Sequence, residues 1–310
     1  MKIAFVFPGQ GSQTVGMLDA WADHTVVQQA ITTANQALGQ DLGALIAQGP
    51  DTDLNLTTNT QPAMLLAAVA MFRAWVEAGG ALPDMVAGHS LGEYSALTAA
   101  GVFDLADAVK LVRIRANAMQ DAVPVGVGAM AAVLNLDDQQ IQDVCSLAAQ
   151  GQVVEPVNFN APGQIVIAGH KEAVERACEI AKSAGARRAM LLPVSAPFHS
   201  SLIEPASKIL EQALDQIQMH SPRIPVINNV DVEMPVEIDA IKSALVRQAW
   251  QPVRWVQTIQ KMRDQGVTHI VECGPGKVLS GLIKRIDKEI QVFSIQDPAS
   301  LEQTFNQLNA

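Results

Sequence analysis

The chain has 310 residues, of which 21 are Lys or Arg and 31 are Asp or Glu, so its formal net charge at pH 7 is -10. This acidic excess argues against a nucleic acid or an anionic membrane as partner, and no apolar run reaches the roughly 18 residues of a membrane span. With 49% apolar residues the chain can bury a large core, and its length allows about two domains. We therefore expect a cytoplasmic globular protein with three reduced, buried cysteines and no metal site.

The first part of the chain alternates short apolar runs with segments of helical periodicity, which is typical of an α/β fold. A strand is predicted at Ile3–Phe7. The glycine-rich loop that follows, around Gln10, could direct backbone N–H groups at an anion or an oxyanion, although a plain turn is an alternative. Helices are predicted at 15–22, 26–38 and 63–77, with a polar segment at 51–60.

A predicted strand runs directly into a predicted helix at Ser90. Gly88, Ser90 and Gly92 form the pattern G-x-S-x-G, with apolar residues before it and helix formers after it. In a nucleophile elbow, this turn pushes the serine hydroxyl clear of the backbone and aims the N–H groups of the helix start at developing negative charge. The motif indicates a nucleophilic serine, and a turn that merely needs glycines is the alternative.

The next predicted helix, residues 105–121, carries two arginines on different faces. On a period of 3.6 residues Arg115 lies on the apolar face, whereas Arg113 lies roughly 160° away. A buried guanidinium must meet an anion, because an unpaired buried charge costs several kcal/mol. That anion could be an internal carboxylate in a fixed ion pair or the carboxylate of a substrate.

Residues 125–197 have a different pattern from the rest of the chain. Their elements run strand, helix, strand, strand, helix, strand, which is the ferredoxin-like arrangement. We expect them to form a small subdomain, 125–197, inserted in a large subdomain made of 1–124 and 198–310. The strands are predicted at 128–134, 153–158, 164–169 and 189–194, and the helices at 137–149 and 171–184.

A nucleophilic serine needs a base, and the chain offers six histidines. His199 follows a strand in a turn held by Pro197, as expected of a catalytic loop, whereas His89 should point to the far side of the elbow. No Asp or Glu between Ser90 and His199 is placed to orient the imidazole. We expect a neutral acceptor instead, either a backbone carbonyl or a side-chain amide. Such a dyad suits a transferase, because the imidazole receives less electrostatic help toward deprotonating water.

The last third of the chain returns to alternating strands and helices. The turn Gly274-Pro275-Gly276 joins a strand to a helix there. We expect these elements to complete the large subdomain. Helices are predicted at 202–217, 241–249, 255–265 and 278–286, and strands at 224–230, 270–273 and 291–295.

Five motifs together resemble those of the malonyl-CoA:acyl-carrier-protein transacylases of bacterial type II fatty-acid synthesis. They appear in the family's order, span essentially the whole chain, and are far more specific than G-x-S-x-G alone. The resemblance implies an α/β fold in which an α/β-hydrolase-like large subdomain carries a ferredoxin-like insert. The motifs are FVFPGQGSQ at 5–13, TQPA at 60–63, GHSLGEY at 88–94, PVNFN at 156–160 and ECGPGK at 272–277.

The resemblance also implies the catalytic roles. Ser90 would take the malonyl group from coenzyme A as an ester, with His199 acting first as base and then as acid. The side-chain oxygen of Gln248 would orient His199. The backbone N–H groups of Gln10 and Leu91 would form the oxyanion hole.

Three further residues are expected to contact the substrate. Arg115 matches the family's carboxylate-binding arginine, and Asn160 would line the same cleft. The bulk of Phe198 would disfavour a methyl branch next to the carboxylate. Pro197 and Ser195 depart from the pattern of some members, so selectivity among acyl groups stays open.

The implied reaction is ping-pong, with malonyl-CoA as donor and the phosphopantetheine thiol of an acyl carrier protein as acceptor. No cofactor is expected to be bound permanently, because the coenzyme A thioester is a substrate, and a monomer is expected. Carrier proteins of this kind are acidic, so a local basic patch must offset the net charge. Its candidates are Lys277, Lys284, Arg285 and Lys288, although a charged run is usually only a solvated face.

Three other functions stay open. A trans-acting acyltransferase of a polyketide or polyunsaturated-lipid assembly line would use the same site. A serine thioesterase would share the elbow and the base, but it gives no reason for a buried Arg115 or for a missing acid. A non-catalytic scaffold would keep the motif residues without turnover.

Overall fold

Two β-sheets organise the chain in the computed structural model, which describes residues 1–309. The strands are β1 (Ile3–Phe7), β2 (Met85–Gly88), β3 (Gly128–Leu134), β4 (Val154–Ala161), β5 (Gln164–His170), β6 (Arg188–Leu191), β7 (Val226–Ile227), β8 (His269–Cys273) and β9 (Gln291–Ile295). The helices are α1 (Thr25–Leu38), α2 (Leu42–Gln48), α3 (Asp51–Leu54), α4 (Thr57–Glu77), α5 (Leu91–Ala99), α6 (Leu105–Asp121), α7 (Asp138–Ala149), α8 (Lys171–Ser183), α9 (Pro205–Asp215), α10 (Ile238–Gln248), α11 (Trp255–Asp264), α12 (Val278–Ile286) and α13 (Pro298–Leu308).

The larger sheet has five parallel strands in the order β7-β2-β1-β8-β9. Helices cover both of its faces, which explains why every residue of the central strand β1 is apolar and buried. Phe5 points to one face, where its ring lies 5.7 Å from Phe72 and 5.4 Å from Trp75 of α4. On the other face, Ala4 and Val6 belong to the core around Trp255 of α11.

The smaller sheet has four antiparallel strands in the order β4-β5-β3-β6. Together with α7 and α8, these strands follow the strand and helix order predicted for a ferredoxin-like unit. Apolar residues of α7 and α8 form a separate core with the strands. We propose that this continuous stretch is the small subdomain predicted at 125–197.

Several predicted elements are confirmed with the bounds expected, among them β1, β3, α6, α12 and β9. The helix predicted at 15–22 is wrong, because Gly16 has a φ of 80° and only a short 3-10 helix follows at Asp19–Trp21. The strand predicted at 224–230 shrinks to β7, because the N–H of Asn229 donates to the Glu93 carboxylate instead of to a neighbouring strand.

Helix α4 begins six residues earlier than predicted. Pro62 falls in its second turn, where the missing N–H removes only one hydrogen bond of the helix. The polar residues Thr57, Thr60 and Gln61 before it are buried. The end of the predicted polar segment at 51–60 is therefore the buried start of a helix. Within residues 1–309, no helix has the length and apolar character needed to cross a membrane.

The parallel sheet also places the two glycine motifs side by side. Phe7, at the end of β1, pairs with Gly88, at the end of β2. The loop that contains Gln10 and the turn that contains Ser90 therefore leave the same edge of the sheet. In open α/β sheets, the carboxyl ends of the strands are where ligands bind.

Candidate active site

Ser90 lies at a sharp turn between β2 and α5, with φ 53° and ψ -111°. A positive φ is uncommon for residues other than glycine and carries strain. Glycines allow the close approach that this turn requires. A Cβ on Gly92 would lie 2.0 Å from the carbonyl oxygen of Phe7, and one on Gly88 would lie 1.9 Å from the carbonyl carbon of Gly92. Ser90 thus has the geometry of a nucleophile elbow.

His199 is hydrogen-bonded to Ser90, with 2.6 Å between Nε2 and the serine Oγ. Its Nδ1 lies 2.8 Å from the backbone carbonyl oxygen of Gln248. A carbonyl only accepts, so the proton is on Nδ1 and Nε2 is free to accept from the serine. The expectation that the Gln248 side-chain oxygen orients His199 is wrong, because the backbone carbonyl does so.

Burial, and then the positive charge of Arg115, lower the pKa of His199 to about 3. The imidazole is therefore neutral at physiological pH and able to accept a proton. Because its orienting partner is an uncharged carbonyl, no carboxylate stabilises the imidazolium directly. This agrees with the neutral acceptor predicted from the absence of a suitable acid.

Arg115 is 1% exposed, its guanidinium lies 5.2 Å from the centre of the Tyr94 ring, and its hydrogen bonds go to neutral oxygen atoms. Nη1 donates to Gln61 Oε1 at 2.7 Å, and Nη2 donates to Gln248 Oε1 at 3.0 Å and to Ser90 Oγ at 3.2 Å. Its buried Nε has no partner, and none of the ion pairs within residues 1–309 involves it. Within residues 1–309 the fixed internal ion pair is therefore not formed, and the guanidinium lies beside the serine.

A buried carboxyl group, Glu93, for which the sequence predicted no role, lies behind Gln248. Oε2 of Glu93 accepts from the backbone N–H of Asn229 at 2.9 Å and from Gln248 Nε2 at 3.1 Å. Burial raises the pKa of Glu93 to about 7, against the effect of these hydrogen bonds and of the Arg115 charge. The amide of Gln248 thus bridges a cation and a carboxyl group.

Two side chains hold the strained backbone of Ser90. The Ser90 N–H donates to Asn229 Oδ1 at 2.8 Å, and the Ser90 carbonyl accepts from Gln248 Nε2 at 2.7 Å. Asn229 also donates to the carbonyl of Gly88 at 2.7 Å. Asn229 follows the short strand β7, where nothing in the sequence distinguishes it, whereas Glu93 lies within the motif GHSLGEY.

The serine opens into a cavity of about 140 Å³ between the two sheets. Gln10 and Leu91 line it, and within residues 1–309 neither of their backbone N–H groups donates a hydrogen bond. The N–H of Leu91 is also at the positive end of α5. Both groups are therefore free to bind an oxyanion. The remaining wall is partly apolar and includes Met119, Met130, Leu192, Val194 and Phe198.

Two other predicted positions need correction. His89 lines the cavity instead of pointing away from it, and its Nε2 lies 2.7 Å from Asn160 Oδ1. Asn160 therefore holds His89, while Asn158 of the same strand lines the cavity. Burial lowers the pKa of His89, which keeps this second imidazole neutral as well.

The predicted basic patch runs from the turn before α12, along the helix, to the residues just after it. Lys277, Lys284 and Lys288 are exposed, and none is part of an ion pair within residues 1–309. Arg285 differs, because it donates to Gln164 Oε1 of β5. Lys277 follows Gly276, where a Cβ would lie 3.3 Å from Ser12, so the patch begins beside the glycine-rich loop.

The family follows from a sequence comparison, in which the acyl transferase domain matches residues 4–297. This chain belongs to the acyl transferase family. It is 55% identical over 301 residues to the malonyl CoA-acyl carrier protein transacylase of Escherichia coli, covering 97% of each chain. The resemblance found in the sequence motifs is thereby confirmed.

Solved structures of acyl transferases have the same fold. An acyl-carrier-protein S-malonyltransferase from Burkholderia pseudomallei is 60% identical, with a TM-score of 0.97 over 99% of this chain and 100% of that one. A malonyl-transacylase solved in complex with a type II polyketide synthase acyl-carrier protein is 50% identical, with a TM-score of 0.98 over 99% and 100%. The predicted mixed α/β fold class is confirmed.

Proposed function

We propose that this chain transfers a malonyl group from malonyl-CoA to the phosphopantetheine thiol of an acyl carrier protein in fatty-acid synthesis. The observation that carries the proposal is Arg115, a buried cation that belongs to none of the ion pairs within residues 1–309 and lies 3.2 Å from Ser90 Oγ. An acyl group that bears its own carboxylate would pair with that cation while its thioester lies at the serine. The names of the E. coli and B. pseudomallei relatives support the same acyl group and acceptor.

The first half-reaction forms an ester on Ser90. The hydroxyl attacks the thioester carbonyl as His199 Nε2 takes its proton. The backbone N–H groups of Gln10 and Leu91 stabilise the resulting oxyanion. The C–S bond then breaks, and His199 returns the proton to the departing sulfur of coenzyme A.

The second half-reaction returns the acyl group to a thiol. The phosphopantetheine thiol gives its proton to His199 and attacks the ester carbonyl, and the N–H groups of Gln10 and Leu91 bind the oxyanion that forms. The C–O bond to Ser90 then breaks, and His199 reprotonates the serine. The sequence is ping-pong, because coenzyme A leaves before the carrier protein reacts.

Selectivity would depend on the walls around the carboxylate. Gln61 and Gln248 hold the guanidinium of Arg115 from two sides and fix its orientation. Phe198 lines the cavity and would crowd a branched acyl group. Asn160 would act indirectly, through His89.

The proposal is tested by intact-mass measurement of acylation. Wild-type protein mixed with malonyl-CoA should gain one malonyl group, and Ser90→Ala should gain none. Arg115→Ala should lower the rate of malonyl loading about 10- to 100-fold, as expected for lost charged hydrogen bonds, and affect acetyl loading much less.

Arg113→Ala is the matched control, because Arg113 binds Gln40 and Asn59 on the other face of α6. It should leave the ratio of malonyl to acetyl loading unchanged. Equal losses of both acyl groups in Arg115→Ala would contradict the carboxylate role. Release of free malonate in preference to transfer, with carrier protein present, would indicate a thioesterase.

A further inference from the structure

A chain of side-chain hydrogen bonds connects Arg115 to the glycine-rich loop. Arg115 Nη1 donates to Gln61 Oε1 at 2.7 Å, Gln61 Nε2 donates to Thr57 Oγ1 at 3.2 Å, and Thr57 Oγ1 donates to Gln10 Oε1 at 2.8 Å. Thr57 and Gln61 are 3% and 2% exposed, so water has little access to the bond between them, whereas Gln10 at the end of the series is exposed. Gln61, which orients the guanidinium of Arg115, belongs to the motif TQPA.

The chemistry of Arg115 fixes the direction of every bond in this chain. A guanidinium only donates, so Gln61 must turn its oxygen toward Arg115 and its NH₂ group toward Thr57. The hydroxyl of Thr57 then accepts from Gln61 and has its one hydrogen left for Gln10. The donors and acceptors of this series of hydrogen bonds therefore have a single self-consistent arrangement, in which neighbouring bonds polarise one another.

The glycine-rich loop, at the end of this series of hydrogen bonds, makes few other side-chain hydrogen bonds. Gly11, with a φ of 107°, lets the loop turn, and its N–H is bonded within the loop to Gln13. Gln13 is tied to Asn55 by an exposed hydrogen bond at 2.7 Å. The loop therefore has two side-chain hydrogen bonds to this region, one from Gln13 to Asn55 at the end of α3 and a better shielded one between Gln10 and Thr57 at the start of α4.

The shape of a malonyl group gives this tie a purpose. A single methylene separates its carboxylate from its thioester carbonyl, so the cation at one end and the oxyanion-binding N–H at the other must keep a fixed spacing. An acetyl group has no carboxylate, so this spacing does not affect its binding. A misplacement of about 1 Å at a reacting centre is enough to cost much of the rate.

We propose that Thr57 is a positioning residue, which sets the spacing between Arg115 and the backbone N–H of Gln10 and thereby favours malonyl over uncharged acyl groups. This inference rests on the proposed function. Thr57 acts through Gln61 and Gln10 and does not itself touch the substrate.

Thr57→Val removes the hydroxyl while keeping the shape of the side chain. A buried neutral hydrogen bond contributes about 1 kcal/mol, so we expect malonyl kcat/KM to fall about 5- to 10-fold. Acetyl kcat/KM should fall less than about twofold, so the malonyl-to-acetyl ratio should drop. Thr57→Ser restores the hydroxyl and should restore this ratio.

Thr60→Val is the matched control on the same helix. Thr60 is fully buried, and its hydroxyl donates to the carbonyl of Leu54 at 2.6 Å without reaching Gln10 or Gln61. It should lower the melting temperature and leave the malonyl-to-acetyl ratio unchanged. If Thr57→Val does not fold, Gln10→Leu breaks the same tie from its exposed end and should lower the ratio likewise.

An unchanged malonyl-to-acetyl ratio in Thr57→Val would overturn the role of Thr57. Failure of Thr57→Ser to restore the wild-type ratio would do so too. The proposed function can be judged separately. A wild-type protein that forms no malonyl ester overturns that function, whereas an unchanged ratio in a protein that does form the ester overturns only this inference.

Discussion

Gln248 does more than the sequence suggested, because its backbone and its side chain act on different partners. Its carbonyl orients His199, its side-chain oxygen accepts from Arg115, and its NH₂ group binds both Ser90 and Glu93. A buried amide that uses its donor and its acceptor in this way can separate a cation from a carboxyl group while satisfying both. One residue therefore holds the nucleophile, the base and the candidate carboxylate anchor in one arrangement.

Glu93 should make the stability of the folded protein depend on pH. Burial raises its pKa from 4.5 to about 7, so the folded protein binds this proton more tightly than the unfolded chain does. Its favourable contribution to the free energy of unfolding is therefore fully present below pH 4.5 and is lost as the pH rises through about 7. Glu93→Gln keeps an oxygen acceptor but cannot ionise.

We expect Glu93→Gln to become more stable relative to wild type as the pH rises from 4.5 to 7. Chemical denaturation at several pH values measures the difference in unfolding free energy. Glu302→Gln is the control for removing an exposed carboxylate, since Glu302 is exposed on α13 and belongs to none of the ion pairs within residues 1–309. A constant difference for Glu93→Gln would contradict the raised pKa.

At the scale of secondary structure, the elbow depends on how closely α5 approaches β1. Gly92→Ala would place a Cβ 2.0 Å from the Phe7 carbonyl oxygen, and backbone atoms cannot yield as a flexible side chain would. We expect Gly92→Ala to lower the unfolding free energy by about 3 kcal/mol, the upper end for overpacking, and to slow acylation of Ser90.

Gly281→Ala provides the opposite case. Gly281 lies within α12, and a Cβ there meets nothing within 4 Å. Alanine is the better helix former, so this variant should be more stable by roughly 0.5–1 kcal/mol. Thermal denaturation of both variants checks the pair, and a stable Gly92→Ala protein would contradict the close packing at the elbow.

For the whole molecule, the site is built where the two sheets meet. The parallel sheet supplies the serine and the glycine-rich loop, and the antiparallel sheet supplies Met130 and Asn158. Lys277 follows the turn that contacts that loop, and Lys284 and Lys288 lie within α12 and just after it, although the net charge of the chain is -10. We propose that these lysines form the local positive surface toward which an acidic carrier protein is drawn.

Charge reversal tests that surface. Lys284→Glu should raise the KM for the carrier protein about fivefold at low salt, and much more than the KM for malonyl-CoA, with the difference shrinking as salt screens the charges. Lys208→Glu makes the same change in charge on α9, where Lys208 is also exposed, and should have little effect. Equal effects of the two variants would show that only net charge matters.

The parts of the site predicted from sequence are those with a local signal. The elbow shows in the spacing of Gly88, Ser90 and Gly92, and the inward face of Arg115 shows in helical periodicity. No local pattern predicted that His199 lies close to Ser90. That prediction depended on the chemical requirement of a nucleophilic serine for a base. Their hydrogen bond spans 109 residues of sequence and is fixed by tertiary packing.

What the sequence determined by itself is the fold class, the family motifs and most elements, because strand and helix periodicity are local properties of the chain. Tertiary structure alone decided which atom of Gln248 binds His199, that His89 faces the cavity, and that Glu93 and Asn229 support the elbow. Each of these depends on where a buried polar group finds its partner. Such partners come from distant segments, and only the packing of the two sheets brings them within hydrogen-bond distance.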